Sequence, residues 1–279
     1  MSDTSSMAES IAETALSFSR IVRQKAPLVH HITNYVVMNF TANVTLALGA
    51  QPIMSHAVDE MDHLHGFCSA LILNIGTLDR DWIGVMLEAG KTATHHKLPI
   101  VLDPVGAGAT RLRTDTARRI LDSANVTIVR ANAGEMFALA GDTSKVSGVD
   151  SLADSHAAIE IAKDFAKARN VIVAMTGISD VVTDGTRVLA IDNGHAIMSR
   201  VTGTGCAATT AVASFVGVAS DSTQHLDAAA SALAIYGRCG EIAAARAHGS
   251  GTFVPAFVDA LFNSTRDIQP QDLHIRVVA

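Results

Sequence analysis

Apolar and polar positions along this 279-residue chain switch period repeatedly. A three-to-four-residue recurrence predicts an amphipathic helix over residues 8–24. LVHHIT, Leu28 to Thr33, reads as a short strand, a helix follows through Leu48, and QPIM is a strand ending at Met54. ALILNIG, ending at Gly76, is apolar nearly throughout, and a helix is predicted over 79–92. LPIVLDP is the clearest buried strand and ends at Asp103. Then come a helix over 113–124, the strand NVTIVR, helices over 134–140 and 155–168, and the strand NVIVAMTG. Apolar strands alternating with helices imply a largely parallel sheet with both faces covered.

The grammar then changes. DVVTDGTRVLAI is two short alternating runs around Asp184-Gly185, which predicts a hairpin. GHAIMSRV reads as one more strand, and helices are predicted over 207–219, 226–248 and 252–263. Residues 267–279 are expected to form a loosely held tail. No repeat, low-complexity segment or linker interrupts the pattern. Residues 1–279 therefore read as a single α/β domain with a late β-hairpin and a helical C-terminal part.

Composition narrows the function. Lys and Arg number 21 against 27 Asp and Glu, a formal charge of −6, and no basic run offers a footprint for nucleic acid. No stretch approaches the roughly 20 apolar residues needed to cross a bilayer. The polar start, MSDTSSMAES, lacks a secretory pattern, so a cytoplasmic protein is expected. Cys68, Cys206 and Cys239 are too widely spaced for a disulfide framework or a zinc site. The pairs His30-His31, His63/His65 and His95-His96 lack H-E-x-x-H spacing and read as surface or satisfied core histidines.

In open parallel sheets, ligands bind beyond the carboxyl ends of the strands. The residues found there are Met54, Asp103 with PVGAGAT, Arg130 with ANAGE, Thr176 with Gly177, and Val201 with TGTGC. Gly203-Thr204-Gly205-Cys206-Ala207-Ala208 formally matches a dinucleotide fingerprint. Helices follow it, so the second strand of a βαβ unit is missing and the match fails. Its physical property survives: glycines permit close backbone approach, and free N–H groups at a helix start attract phosphate. A strand-to-helix turn without a ligand is the alternative. Asp103 fits either a helix-capping loop or a binding loop. Glu135 fits either a first-turn carboxylate or, with Asp103, a magnesium site.

Taken in order, LVHHITN, QPIMSHA, DPVGAGAT, VRANAGE, MTG and VTGTGC resemble the hydroxyethylthiazole kinases of the ribokinase-like superfamily. The resemblance spans roughly residues 27–262. It implies a ribokinase-like fold and transfer of phosphoryl from ATP to the hydroxyl of 4-methyl-5-(2-hydroxyethyl)thiazole, with Mg2+, in thiamine salvage. It further implies that Met54, Gly203 and Asn34 bind the thiazole alcohol, that Arg130, Thr176 and Gly205 contact ATP, and that Asp103 and Glu135 organise magnesium. It also implies a homotrimer with sites at subunit interfaces. Most of the wider superfamily carries Gly-x-Gly-Asp, with the Asp as base; here Cys206 stands in that place. At a helix start its thiol pKa is expected to fall, making it a weak base or a pocket wall. The rival readings are a kinase for hydroxymethylpyrimidine, pyridoxal or a sugar, an ATP-dependent nicotinamide-nucleotide hydrate dehydratase, and a non-enzymatic nucleotide-binding protein.

Overall fold

The computed structural model describes residues 2–141 and 152–278. Its first half runs α1 (Ser2–Lys25), β1 (Leu28–Ile32), α2 (Met38–Leu48), β2 (Gln51–Ile53), α3 (Met61–His65), β3 (Ala70–Asn74), α4 (Arg80–His95), β4 (Ile100–Asp103), α5 (Arg111–Ser123), β5 (Ile128–Asn132) and α6 (Ala133–Ala140). There follow α7 (Leu152–Arg169), β6 (Ile172–Thr176), β7 (Asp180–Thr183), β8 (Val188–Ile191), α8 (Thr204–Val216), α9 (His225–Arg246), α10 (Ser250–Asp267) and β9 (Ile275–Val277). The strands form one sheet in the order β2-β1-β3-β4-β5-β6-β7-β8-β9. β1 to β6 are parallel, and β6 to β9 are antiparallel.

Strand alternation divides the core in two. Val29, Ile72, Val101, Ile128 and Ala174 pack with α1, α2, α8, α9 and α10. Leu71, Leu73, Ile100, Leu102, Val129, Ala131, Val173 and Met175 pack on the opposite face with α4, α5, α6 and α7. Successive side chains point to opposite faces. Four polar positions on neighbouring strands are thereby fixed: Asn74, Asp103 and Thr176, which end β3, β4 and β6, and Arg130, two residues before the end of β5, all fall on the α8 face. The strand order reverses about β1, with β2 on one side and β3 on the other. Crevices at the carboxyl ends of such reversals are where ligands bind.

Two expectations are corrected. GHAIMSRV is not a strand: Ala196–Arg200 forms a 3-10 turn capped by the His195 side chain. The free edge of β8 is instead taken by β9, which pairs Leu189 with Val277 and Ile191 with Ile275. The same pairing holds down the stretch expected to be a loose tail, where Ile268, Leu273 and Ile275 are buried. Among the described residues, no helix is long and apolar enough to cross a membrane.

Candidate active site

Asp103 ends β4 and is fully buried. Its Oδ2 accepts from Asn74 Nδ2 and from Thr209 Oγ1 of α8, each at 2.7 Å. Its Oδ1 pairs with Arg130 Nη1 at 3.3 Å. Burial pushes the carboxyl upward, while Arg130, Thr209 and Asn74 act the other way. With three donors aimed at it, the carboxylate is the form the site accommodates at neutral pH.

Arg130 does not end its strand as expected, because β5 stays paired with β6 through Asn132; it is also buried and gives its Nη2 to Thr176 Oγ1 at 2.6 Å. Its Nε is buried without a hydrogen-bond partner. Asp103, Arg130 and Thr176 therefore form one polar row across β4, β5 and β6. Gly205 lies against it: a Cβ there would stand 3.2 Å from Arg130 Nη2 and 3.3 Å from Nη1. Only glycine lets the α8 backbone come this close without moving the guanidinium.

The turn that opens α8 is held from behind. Gly203 caps the helix with φ +89, a left-handed conformation that favours glycine. Thr204 Oγ1 donates to the carbonyls of Met198 and Val201 at 2.8 and 3.0 Å. The Thr204 carbonyl in turn accepts from the buried Tyr236 hydroxyl at 2.7 Å. Cys206 sits in the first turn of α8, and its Sγ accepts from Asn34 Nδ2 at 3.4 Å. Asn34 also donates to Asn74 Oδ1 at 2.9 Å. A chain of contacts thus runs from Cys206 through Asn34 and Asn74 to Asp103, across the β1/β3 reversal.

The expected fall in the Cys206 pKa is reversed. Burial and the nearby Asp103 charge push the thiol up to about 11, outweighing Asn74, Arg130 and Asn34. The helix start alone does not make a thiolate here, because burial penalises the charged form and the Asp103 carboxylate adds repulsion.

Glu135 caps α6. Its Oε2 accepts from the Asn132 N–H and its Oε1 from the Gly106 N–H, both at 2.8 Å, while Asn132 accepts in return from the Glu135 N–H. The capping reading of Glu135 is therefore realised, and it ties α6 to the loop that follows Asp103. Burial and the Asp103 charge raise its pKa. Among the described residues, no group of three or more His, Cys, Asp and Glu converges as a metal site would. Magnesium asks for less: one or two carboxylates, with waters and substrate phosphates completing the shell. Asp103 and Glu135 fit that donor set.

Met54 lies just past β2, half-buried beside a cleft of about 460 Å³ that is also lined by Ser55, His56 and Glu60. A second cleft of about 490 Å³ adjoins Gly203 and is lined by Val36, Val37, Phe40, Thr202, Val254 and Pro255.

Four polar positions escaped the sequence reading. Asn74 and Thr209 hold Asp103. Arg113 donates to the carbonyls of Ile75, Gly76 and Val105, stitching together the loops after β3 and β4. Asp180, beside Arg130 and bonded by the Gly177 N–H at 2.9 Å, has its carboxyl raised to about 6 by burial. Asn74 was findable in principle, since ALILN ends on a polar residue as LPIVLD does. Thr209 and Arg113 sit on helices and carry no local signal.

Comparison with known proteins identifies the family and the fold. The hydroxyethylthiazole kinase family matches residues 20–267. A hydroxyethylthiazole kinase of Desulfatibacillum aliphaticivorans is 51% identical over 243 residues, covering 87% of this chain and 90% of the relative. One from Desulfosudis oleivorans is 48% identical over 269 residues, covering 96% and 97%. Among solved structures, the hydroxyethylthiazole kinase protein of Pyrococcus horikoshii superposes with TM-score 0.85 at 38% identity, covering 96% of this chain and 100% of that one. Pyridoxal kinase from Staphylococcus aureus, at TM-score 0.58 and 16% identity over 90% and 97% of the two chains, shares the ribokinase-like fold alone. On the span of the family match and the identity of these relatives, this chain belongs to the hydroxyethylthiazole kinase family.

Proposed function

We propose that the protein transfers the γ-phosphoryl group of ATP to the hydroxyl of 4-methyl-5-(2-hydroxyethyl)thiazole, as its family membership implies. The observation that carries the reading is the meeting of two features on one face of the sheet. One is the Asp103–Arg130–Thr176 row, and the other is the glycine turn ending in Cys206. In this reading Arg130, Thr176 and Gly205 contact the nucleotide, with the uncommitted Arg130 Nε available to it. Met54, Asn34 and Gly203 take the thiazole alcohol. Asp103 and Glu135 would hold magnesium, which when bound neutralises charge on the phosphates.

The substrate oxygen bonds to the γ-phosphorus as the bond to the β–γ bridging oxygen breaks, and ADP departs. Backbone N–H groups of the Gly203–Cys206 turn stabilise charge on the transferring group. The transition state is loose, so the hydroxyl proton leaves late, to a phosphoryl oxygen or water. Cys206 stays a neutral thiol that shapes the pocket beside Asn34.

A homotrimer in the cytoplasm accompanies this reading. It is supported by the apolar cleft beside Gly203 and by the neighbouring Tyr35 and Val36, which are 56% and 66% exposed. A structure with the thiazole alcohol, magnesium and a non-hydrolysable ATP analogue tests the assignments. The hydroxyl is expected beside Gly203 and the γ-phosphate beside Arg130. A ring seated away from Met54, or phosphates away from Arg130, would overturn them.

A further inference from the structure

The opposite face of the sheet carries a second chain of polar groups, built on one histidine from each of two sequence pairs. His30 is fully buried on β1. Its Nε2 lies 2.9 Å from the Ser55 carbonyl oxygen, and its Nδ1 lies 3.0 Å from Nε2 of His65, the last residue of α3. A carbonyl can only accept, so His30 Nε2 carries a hydrogen. Neutral imidazole then offers only a lone pair at Nδ1, so the hydrogen between the rings belongs to His65 Nε2. His65 Nδ1 is left as a buried lone pair without a partner. Charging His30 would force the His65 hydrogen onto that Nδ1, where nothing accepts it. Burial accordingly lowers the pKa of both rings, that of His65 to about 4. Geometry thus selects one tautomer at each ring.

The endpoint of the chain matters. Ser55 follows Met54, and β2 has already ended at Ile53. Outside, the Ser55 hydroxyl donates to the exposed Glu60 carboxylate. Inside, the tether is His30, reaching from β1, which is paired on both sides, by β2 and β3.

We propose that the His65–His30 pair is a positioning relay: it fixes the Ser55 carbonyl, and through it the Met54 backbone that receives the thiazole ring. This rests on the assignment of Met54 to substrate given above. Neither histidine is a catalytic residue.

Three measurements test it. Imidazole nitrogen NMR of the wild-type protein should show the Nε2–H tautomer at both His30 and His65; an Nδ1–H tautomer at either ring overturns the relay. His65→Leu removes the donor, while His65→Gln places an amide N–H near the lost Nε2–H. His65→Leu should raise KM for the thiazole alcohol about three- to tenfold, the scale of one neutral hydrogen bond. Its kcat and KM for ATP should stay within about twofold, and His65→Gln should restore the thiazole KM. An unchanged thiazole KM in His65→Leu refutes the relay. If the wild-type protein phosphorylates no thiazole alcohol, the proposed function fails separately. Amide exchange at residues 54–57 then decides the relay: it should quicken in His65→Leu and not in His65→Gln, and unaltered exchange overturns it.

Discussion

Replacing Cys206 tests how this site manages without the aspartate found in related kinases. The thiol is pushed up to about 11 by burial and by Asp103. At pH 7.5 only about one thiol in three thousand is then ionised. A general base typically contributes about 10²–10⁴-fold, and a group so rarely ionised supplies almost none of it. Cys206→Ser keeps a small polar group within reach of Asn34 and should slow kcat by less than about threefold. Cys206→Asp places a carboxylate there instead. Burial and Asp103 would raise its pKa towards the working pH, where a base is most effective. That variant should remain active and run between equally fast and about 10²-fold faster. Steady-state ADP release at saturating substrates measures both. Iodoacetamide provides an independent check: at pH 8 Cys206 should alkylate on the order of 10²-fold more slowly than a free cysteine. A hundredfold loss in folded Cys206→Ser, or abolished turnover in folded Cys206→Asp, would refute the reasoning.

Three further outcomes follow from the same geometry. Gly203→Ala must hold alanine at φ +89 with its Cβ 3.0 Å from Val37 Cγ1 and 3.1 Å from Phe40 Cδ1. It should cost about 1–3 kcal/mol in denaturant unfolding and depress turnover. Glu135→Gln puts an amide N–H against a backbone N–H, so it should cost about 1 kcal/mol of stability and raise the magnesium needed for half-maximal turnover; unchanged magnesium dependence would leave Glu135 as a cap alone. Asp180 has its carboxyl raised to about 6, so the fold favours its protonated form. The resulting destabilisation is absent below about pH 4, grows as the pH rises through 6, and is complete above it. Asp180→Asn should therefore stabilise the protein at pH 7.5 by about 1 kcal/mol, less than the full linkage value because the side chain is partly solvated. The gain should vanish near pH 4 in paired denaturation curves.

Much of the sheet was legible because its strands are apolar runs with clear ends. The period-2 rule then puts Asp103, Arg130 and Thr176 on one face as a single row. The hairpin at Asp184-Gly185 was equally plain, and β7 and β8 pair Asp180 with Ile191 and Thr183 with Val188. GHAIMSRV misled because its local pattern suits a strand, while the place beside β8 is won by residues far along the chain. The same long-range pairing explains why the final residues are held rather than loose. At the site, chain position identified Asp103, Arg130 and Cys206 as candidates. Their electrostatics were not readable, since the pKa of Cys206 depends first on its burial and then on Asp103, distant in sequence and close only after folding. Thr209 and Arg113 were invisible for the same reason: their roles exist only where α8 and α5 meet strand ends.

The central claim is that this site phosphorylates a thiazole alcohol. ADP release, with identification of the phosphate ester, should be measured for 4-methyl-5-(2-hydroxyethyl)thiazole, hydroxymethylpyrimidine and pyridoxal, with and without magnesium. The account predicts magnesium-dependent turnover with kcat/KM highest for the thiazole alcohol. Preference for either other alcohol, or no release with any of them, would contradict it.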